Sequence, residues 1–208
     1  DQHNKVFSYK TLANSRFVWL LFELPASFNN YQTDPLIYLS YILKYPQAGG
    51  MIHTLRQKGY ITSTEMEIDR MRPATLFGFK FELTEEGFKN IDECLVTFMY
   101  YVQKLQREGI PKEIAQDVQK LSELNYKYRE TTNILAEVID IARKLHFYPA
   151  QDVLQAGSVV TQFDSQIIAD ALIHMSASRL VVLVGSQEYE GDAARILANT
   201  DDIPNGEW

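Results

Sequence analysis

Apolar residues along the chain change their spacing several times, and each change marks an element. Arg16 to Leu24 (RFVWLLFEL) is apolar on both alternating faces, the mark of an internal strand. Asp34 followed by Pro35 has the form of an N-cap and first helical residue, and predicts a helix from Leu36 to Tyr45, closed by Pro46. A turn with Ala48, Gly49 and Gly50 then feeds a short helix with Met51, Ile52 and Leu55 at helical spacing, and Gly59 is its C-terminal stop.

Strand formers follow. Tyr60 to Ile68 and Ala74 to Leu83 read as a hairpin joined by the polar Asp69 to Pro73. In TLFGFKFEL the alternation places Leu76, Gly78, Lys80 and Glu82 on one face. Phe77, Phe79, Phe81 and Leu83 form the other, buried one.

The second half reads as mostly helical. Thr84 caps a long helix with Glu85 and Glu86 in its first turn, and Phe88, Ile91, Leu95, Phe98, Met99, Val102 and Leu105 form its apolar stripe. Gly109 and Pro111 separate it from a helix over 111–130, with Ile114, Val118, Leu121 and Tyr128 inward. A further helix over 132–147 uses Leu135, Val138, Ile139, Ala142 and Leu145 as its core face. A helical turn is expected near Asp152 to Leu154, a helix from Asp164 to about Met175, and a central strand at Leu180 to Gly185.

Strands and helices do not alternate regularly, so the pattern predicts an α+β fold with helices on one sheet face, not a doubly wound parallel sheet. Within 208 residues and 46% hydrophobic content, the reading is a polar lead-in over 1–15, one domain over 16–185 and an acidic, turn-rich linker over 186–208. A chain that starts at Asp1 and stops in a polar run suggests a piece of something longer.

Charge and chemistry narrow the function mainly by exclusion. With 20 Lys+Arg scattered among 27 Asp+Glu, no cationic patch for nucleic acid stands out, and no partner of that kind is expected. The apolar runs fall short of the roughly 20 residues a membrane helix needs, so no membrane partner is expected either. A single cysteine, Cys94, fits a reducing compartment, with a cytoplasmic setting favoured.

No GxxxxGK[ST] phosphate loop is present, and Gly49-Gly50 alone reads as a turn. None of His3, His53, His146 and His174 has an HExxH or HxxEH neighbourhood, so no metal ligand or catalytic residue is assigned, and His53 and His146 read as surface or half-buried helix residues that bond locally. Cys94 reads as a packing residue whose thiol is held protonated by Asp92 and Glu93. Glu85-Glu86 and Asp201-Asp202 read as a helix start and a solvated linker.

Several stretches carry a resemblance. AGGMIHTLRQKGYIT is similar to the G-x-G-S-L-L-x-x-L-K-x-K-G-W segment in the second, non-catalytic domain of the pitrilysin and insulin-degrading enzyme (insulinase) family of zinc metallopeptidases. Gly49, Leu55, Lys58 and Gly59 match outright and Tyr60 stands in for tryptophan. FVWLLFELP, FELTEEGFKNID, YYVQKLQREGIP, HFYPAQDVLQAG and VGSQEYEG resemble further segments in the same order, over about Arg16 to Gly191.

The resemblance implies a LuxS and mitochondrial processing peptidase type of α+β fold, mostly antiparallel, in which four homologous domains enclose a chamber. Zinc and its HxxEH site would belong to the catalytic domain of the parent, with none in this fragment. The expected partners are that domain, the C-terminal half of the same chain, and peptide substrates. By the same resemblance an edge strand binds peptide by backbone pairing, at Thr62, Ser63, Thr64, Glu65, Met66 and Glu67, although the family has a glycine pair where Met66 and Glu67 stand. Two alternatives stay open: a pseudo-peptidase scaffold or assembly subunit, and an independent small-ligand-binding regulatory domain.

Overall fold

Strict alternation along residues 74–83 sends Phe77, Phe79 and Phe81 to one side of a sheet, where all three are fully shielded from solvent. The computed structural model describes residues 5–46, 49–130 and 133–188, together with a short strand at 195–197. In chain order the elements are β1 (Lys5–Lys10), β2 (Phe17–Pro25), α1 (Pro35–Leu43), α2 (Met51–Gln57), β3 (Ile61–Arg70), β4 (Ala74–Leu83), α3 (Glu85–Lys89), α4 (Ile91–Glu108), α5 (Lys112–Lys127), α6 (Ile134–Lys144), α7 (Ser165–Ile173), β5 (Val181–Ser186) and β6 (Arg195–Leu197).

The strands form one sheet in the order β3-β4-β2-β5-β1-β6. Among the described strands only β1 and β5 run parallel; every other neighbouring pair is antiparallel. The apolar runs at both ends of the chain are thus brought together, because β5 lies between β1 and β2. Leu183 faces Phe7 on one side and Trp19 on the other.

Helices cover the face carrying the β4 phenylalanines. The ring of Phe98 in α4 lies 5.9 Å from Phe22, 5.3 Å from Phe79 and 6.2 Å from Phe81. Cys94, Leu95, Met99, Val102 and Leu105 complete the buried stripe. Each large apolar side chain buried here contributes about 1.5–3 kcal/mol, which makes this seam the main source of cohesion. No helix among the described residues is long and apolar enough to cross a membrane.

The caps follow their residues. The Leu36 N–H donates to Asp34 Oδ1 (3.1 Å) with Pro35 in the first turn, and the Gln166 and Ile167 N–H groups donate to Asp164. Gly59 and Gly109, where α2 and α4 end, take positive φ of 71° and 72°, which glycine adopts without the clash of a Cβ.

The structure departs from the pattern expected along the chain at five places. The long helix expected after Thr84 is two, α3 and α4, broken at Asn90, whose Nδ2 donates to Glu86 O (2.8 Å) and so competes with the helical ladder. In α5 the buried ridge is Ala115, Val118 and Ser122. Leu121 is 37% exposed and Tyr128 70%, because small residues let this helix approach its neighbours closely.

The helix expected over 132–147 is the shorter α6, and its apolar face points outward: Ile134, Leu135, Val138, Ile139 and Leu145 are between 51% and 76% exposed. Residues 150–158 form successive turns, and the helical turn expected near Asp152 is among them, with the Ala156 N–H donating to Asp152 O (2.8 Å). Two strands were hidden in polar sequence. The lead-in supplies β1, and the acidic tail supplies β6, whose backbone pairs with β1; the remainder of 189–208 lies outside the described residues.

Two consequences can be measured. A chain truncated after Asn125 lacks β5 and leaves β1 and β2 without their common partner; it is expected to show no cooperative thermal transition by circular dichroism, and a cooperative one would contradict the topology. At Gly87 an added Cβ would sit inside the van der Waals envelope of the Tyr60 carbonyl. Gly87→Ala should therefore lower stability by about 2–3 kcal/mol in denaturant titration, and a loss below about 0.5 kcal/mol would show that α3 does not press on the backbone at Tyr60.

Candidate functional site

The α2 to β3 junction is fixed before the strand begins. The Gly59 N–H donates to Arg56 O (2.9 Å) and the Tyr60 N–H to Leu55 O (3.0 Å), closing α2. Thr84 Oγ1 then donates to Gly59 O (2.7 Å), and the Tyr60 hydroxyl donates to Glu93 Oε2 (2.7 Å), with Lys58 paired to the same carboxylate. This anchors the start of β3 to α3 and α4 at once.

From there β3 runs along the edge of the sheet, paired only with β4 among the described strands. A register irregularity between Ile61 and Ser63 sets the alternation beyond it. Thr64, Met66 and Ile68 register with Phe81, Phe79 and Phe77 on the helix side. Glu65, Glu67 and Asp69 register with Lys80, Gly78 and Leu76 on the open side. A cleft of about 430 Å³ follows this edge, lined by the consecutive Thr64, Glu65, Met66 and Glu67 with Trp19, Lys44 and Lys80.

Charge on the open side is partly answered within the sheet. Lys80 Nζ lies 3.3 Å from Glu65 and 2.5 Å from Glu82, and sits 4.6 Å over the Phe17 ring. Gly78 leaves room for the Trp19 indole, whose Nε1 occupies the place a Cβ would need. Thus all six residues singled out from the sequence, Thr62 to Glu67, lie together on β3. Met66 and Glu67 project above and below the sheet, out of the plane in which another strand would hydrogen-bond.

The remaining candidates are dispersed. Gly49, at φ 86°, and Gly50 form the turn before α2, a helix of only seven residues; Gln47 and Ala48 lie outside the described residues. His53 is half-buried on α2, and His146 is exposed beyond α6. His174 ends α7, its Nδ1 against Arg179. His3 and Asp201-Asp202 fall outside the described residues.

No three His, Cys, Asp or Glu side chains gather to hold a metal among the described residues, so the donor set seen here does not fit zinc. Burial pushes the Cys94 thiol up to about 11, with Lys58 drawing it slightly back. Its protonation comes from desolvation and not, as the sequence suggested, from Asp92 and Glu93.

One buried pair escaped the sequence reading. Asp34, fully enclosed, caps α1 and also pairs through Oδ2 with Arg70 (2.6 Å) at the end of β3. Burial pushes its carboxyl above the usual range, against the pull of Arg70 and the N–H groups of Leu36 and Ile37. The cap was legible from Asp-Pro, whereas a partner 36 residues away leaves no local signal.

Known proteins give this geometry a context. Residues 1–121 match the family described as "Peptidase M16 inactive domain", and residues 126–200 match "Middle or third domain of peptidase_M16". The chain is 24% identical over 196 residues to human nardilysin, covering 91% of this chain and 17% of that protein. It is 25% identical over 166 residues to human insulin-degrading enzyme, covering 79% of this chain and 16% of that one.

The chain therefore spans about one-sixth of the length of these relatives. In fold it superposes on pitrilysin with a TM-score of 0.86 at 14% identity, over 92% of this chain and 21% of that one. The sheet takes strands from both matched segments, since β5 from the second sits between β1 and β2 of the first. The chain belongs to the M16 peptidase family, as its non-catalytic, inactive-domain type.

Proposed function

We propose that this domain forms part of the wall of a peptide-enclosing chamber in a larger zinc-dependent metalloendopeptidase, and positions peptides there without cleaving them. The observation that carries the reading is the free edge of β3 with its cleft along Thr64 to Glu67. An extended peptide laid there would continue the sheet, with affinity supplied by backbone N–H and C=O groups and little demand on its sequence.

Two further features support a place within a multidomain assembly. The apolar face of α6 is exposed, as expected of a surface that a companion domain covers. The scattered histidines and the protonated Cys94 leave hydrolysis to a catalytic domain elsewhere in the parent, which would hold the zinc. In this reading the body of the domain extends beyond residues 16–185 to include β1 and β6, since both pair within its sheet.

Hydrogen exchange on the purified chain tests the proposal. With an extended peptide in excess, amides within residues 61–70 are expected to gain protection at alternate positions. N-methylating alternate peptide amides should weaken binding tenfold or more, and no zinc-dependent hydrolysis should appear. Protection confined to another region, binding indifferent to N-methylation, or cleavage by this chain alone would each overturn it.

A further inference from the structure

The helix α6 is inverted relative to an ordinary surface helix. Ile134, Leu135, Val138 and Ile139 face outward, while Asp140 and Lys144, with Ile141, are among its more shielded positions. The polar side of α6 closes a cleft of about 210 Å³ whose other walls include Arg70 from the end of β3, and Phe147 and Tyr148 from the following turn. Arg143 lines the same space.

Three cations and two carboxylates meet around this cleft. Lys144 is answered by Asp140 at 2.9 Å and Arg70 by Asp34 at 2.6 Å, while Arg143 has no ion-pair partner among the described residues. One positive charge is in excess, and Arg72 adds another at the rim, 5.5 Å over the Phe147 ring. Arg70 also keeps an unused donor: its Nε is buried and has no hydrogen-bond partner among the described residues.

Burial pushes the Tyr148 hydroxyl above its ordinary range, so it stays protonated and able to donate. Cations in the last turn of a helix suit its dipole. That explains the presence of Arg143 and Lys144, but not their juxtaposition with a third cation across a cleft.

We infer that this cleft is a binding site for a small oxyanion, held by Arg143, Lys144 and Arg70 with Tyr148 as a neutral donor. Guanidinium groups match the geometry of carboxylate and phosphate oxygens, and low-dielectric aromatic walls strengthen the attraction. The volume lies below the roughly 300 Å³ at which pockets begin to enclose drug-sized ligands, so the cleft suits a single phosphate or carboxylate group. A free inorganic anion and the carboxylate of a peptide share this chemistry.

Calorimetric titration of the 208-residue chain at constant ionic strength tests the site and separates the two sources. The probes are inorganic phosphate, acetate, and one short peptide with either a free or an amidated C-terminus. Saturable binding is expected in at least one oxyanion arm. Phosphate ahead of the peptide indicates a free ion, and free-acid peptide ahead of its amide indicates a peptide carboxylate.

Arg143→Gln, at an exposed position, should leave the thermal midpoint unchanged and weaken binding tenfold or more. Asp140→Asn, which removes a competing carboxylate, should tighten it severalfold. Absence of saturable binding in every arm, binding unchanged in Arg143→Gln, or weaker binding in Asp140→Asn would overturn the inference.

Discussion

The seam between the β4 phenylalanines and Phe98 of α4 is the contact on which the rest of the molecule depends. Because side chains alternate along a strand, committing Phe77, Phe79 and Phe81 to the helices commits Leu76, Gly78 and Lys80 to the opposite face. The same alternation, carried across the pairing with β3, sets Thr64 and Met66 toward the helices and Glu65 and Glu67 away from them. A one-residue slip would reverse every one of these assignments, so the buried aromatic layer fixes the register of the outer strand as well as the core.

From that constraint follows a division of labour within the sheet. Its middle is closed by β5, brought back from the far end of the chain to join β1 and β2. Its β3 side ends in a strand held rigidly at its start, by Thr84 and Glu93, and bordered by a cleft along its length. A rigid edge is what strand addition needs, since ordering costs on the receiving side are already met by folding. The proposed role in peptide positioning draws on this geometry and on membership of the M16 peptidase family, whose match here is to the inactive domain.

Much of the fold could be read from the residues because local and tertiary demands agreed. The alternation in TLFGFKFEL, the Asp34-Pro35 start and the glycine stops each acted as their chemistry dictates. The edge candidates Thr62 to Glu67 came from resemblance, and their common strand followed from β propensity.

What the sequence concealed had a different origin. Lys5–Lys10 and Arg195–Leu197 are too short or too polar to announce strands, and each forms against a distant partner, β1 on β5 and β6 on β1. The outward face of α6 obeys helical periodicity while contradicting the usual inference from it, because periodicity gives a stripe and not what the stripe faces. Ion pairs such as Arg70 with Asp34 join residues that only the tertiary fold makes neighbours.

A crystal structure of the chain with a bound extended peptide tests the account most directly. The account requires the peptide backbone to lie beside β3 as one more strand, within hydrogen-bonding distance of residues 62–67. A peptide seated on the helical layer or beside another strand, with the β3 edge bare, would contradict it.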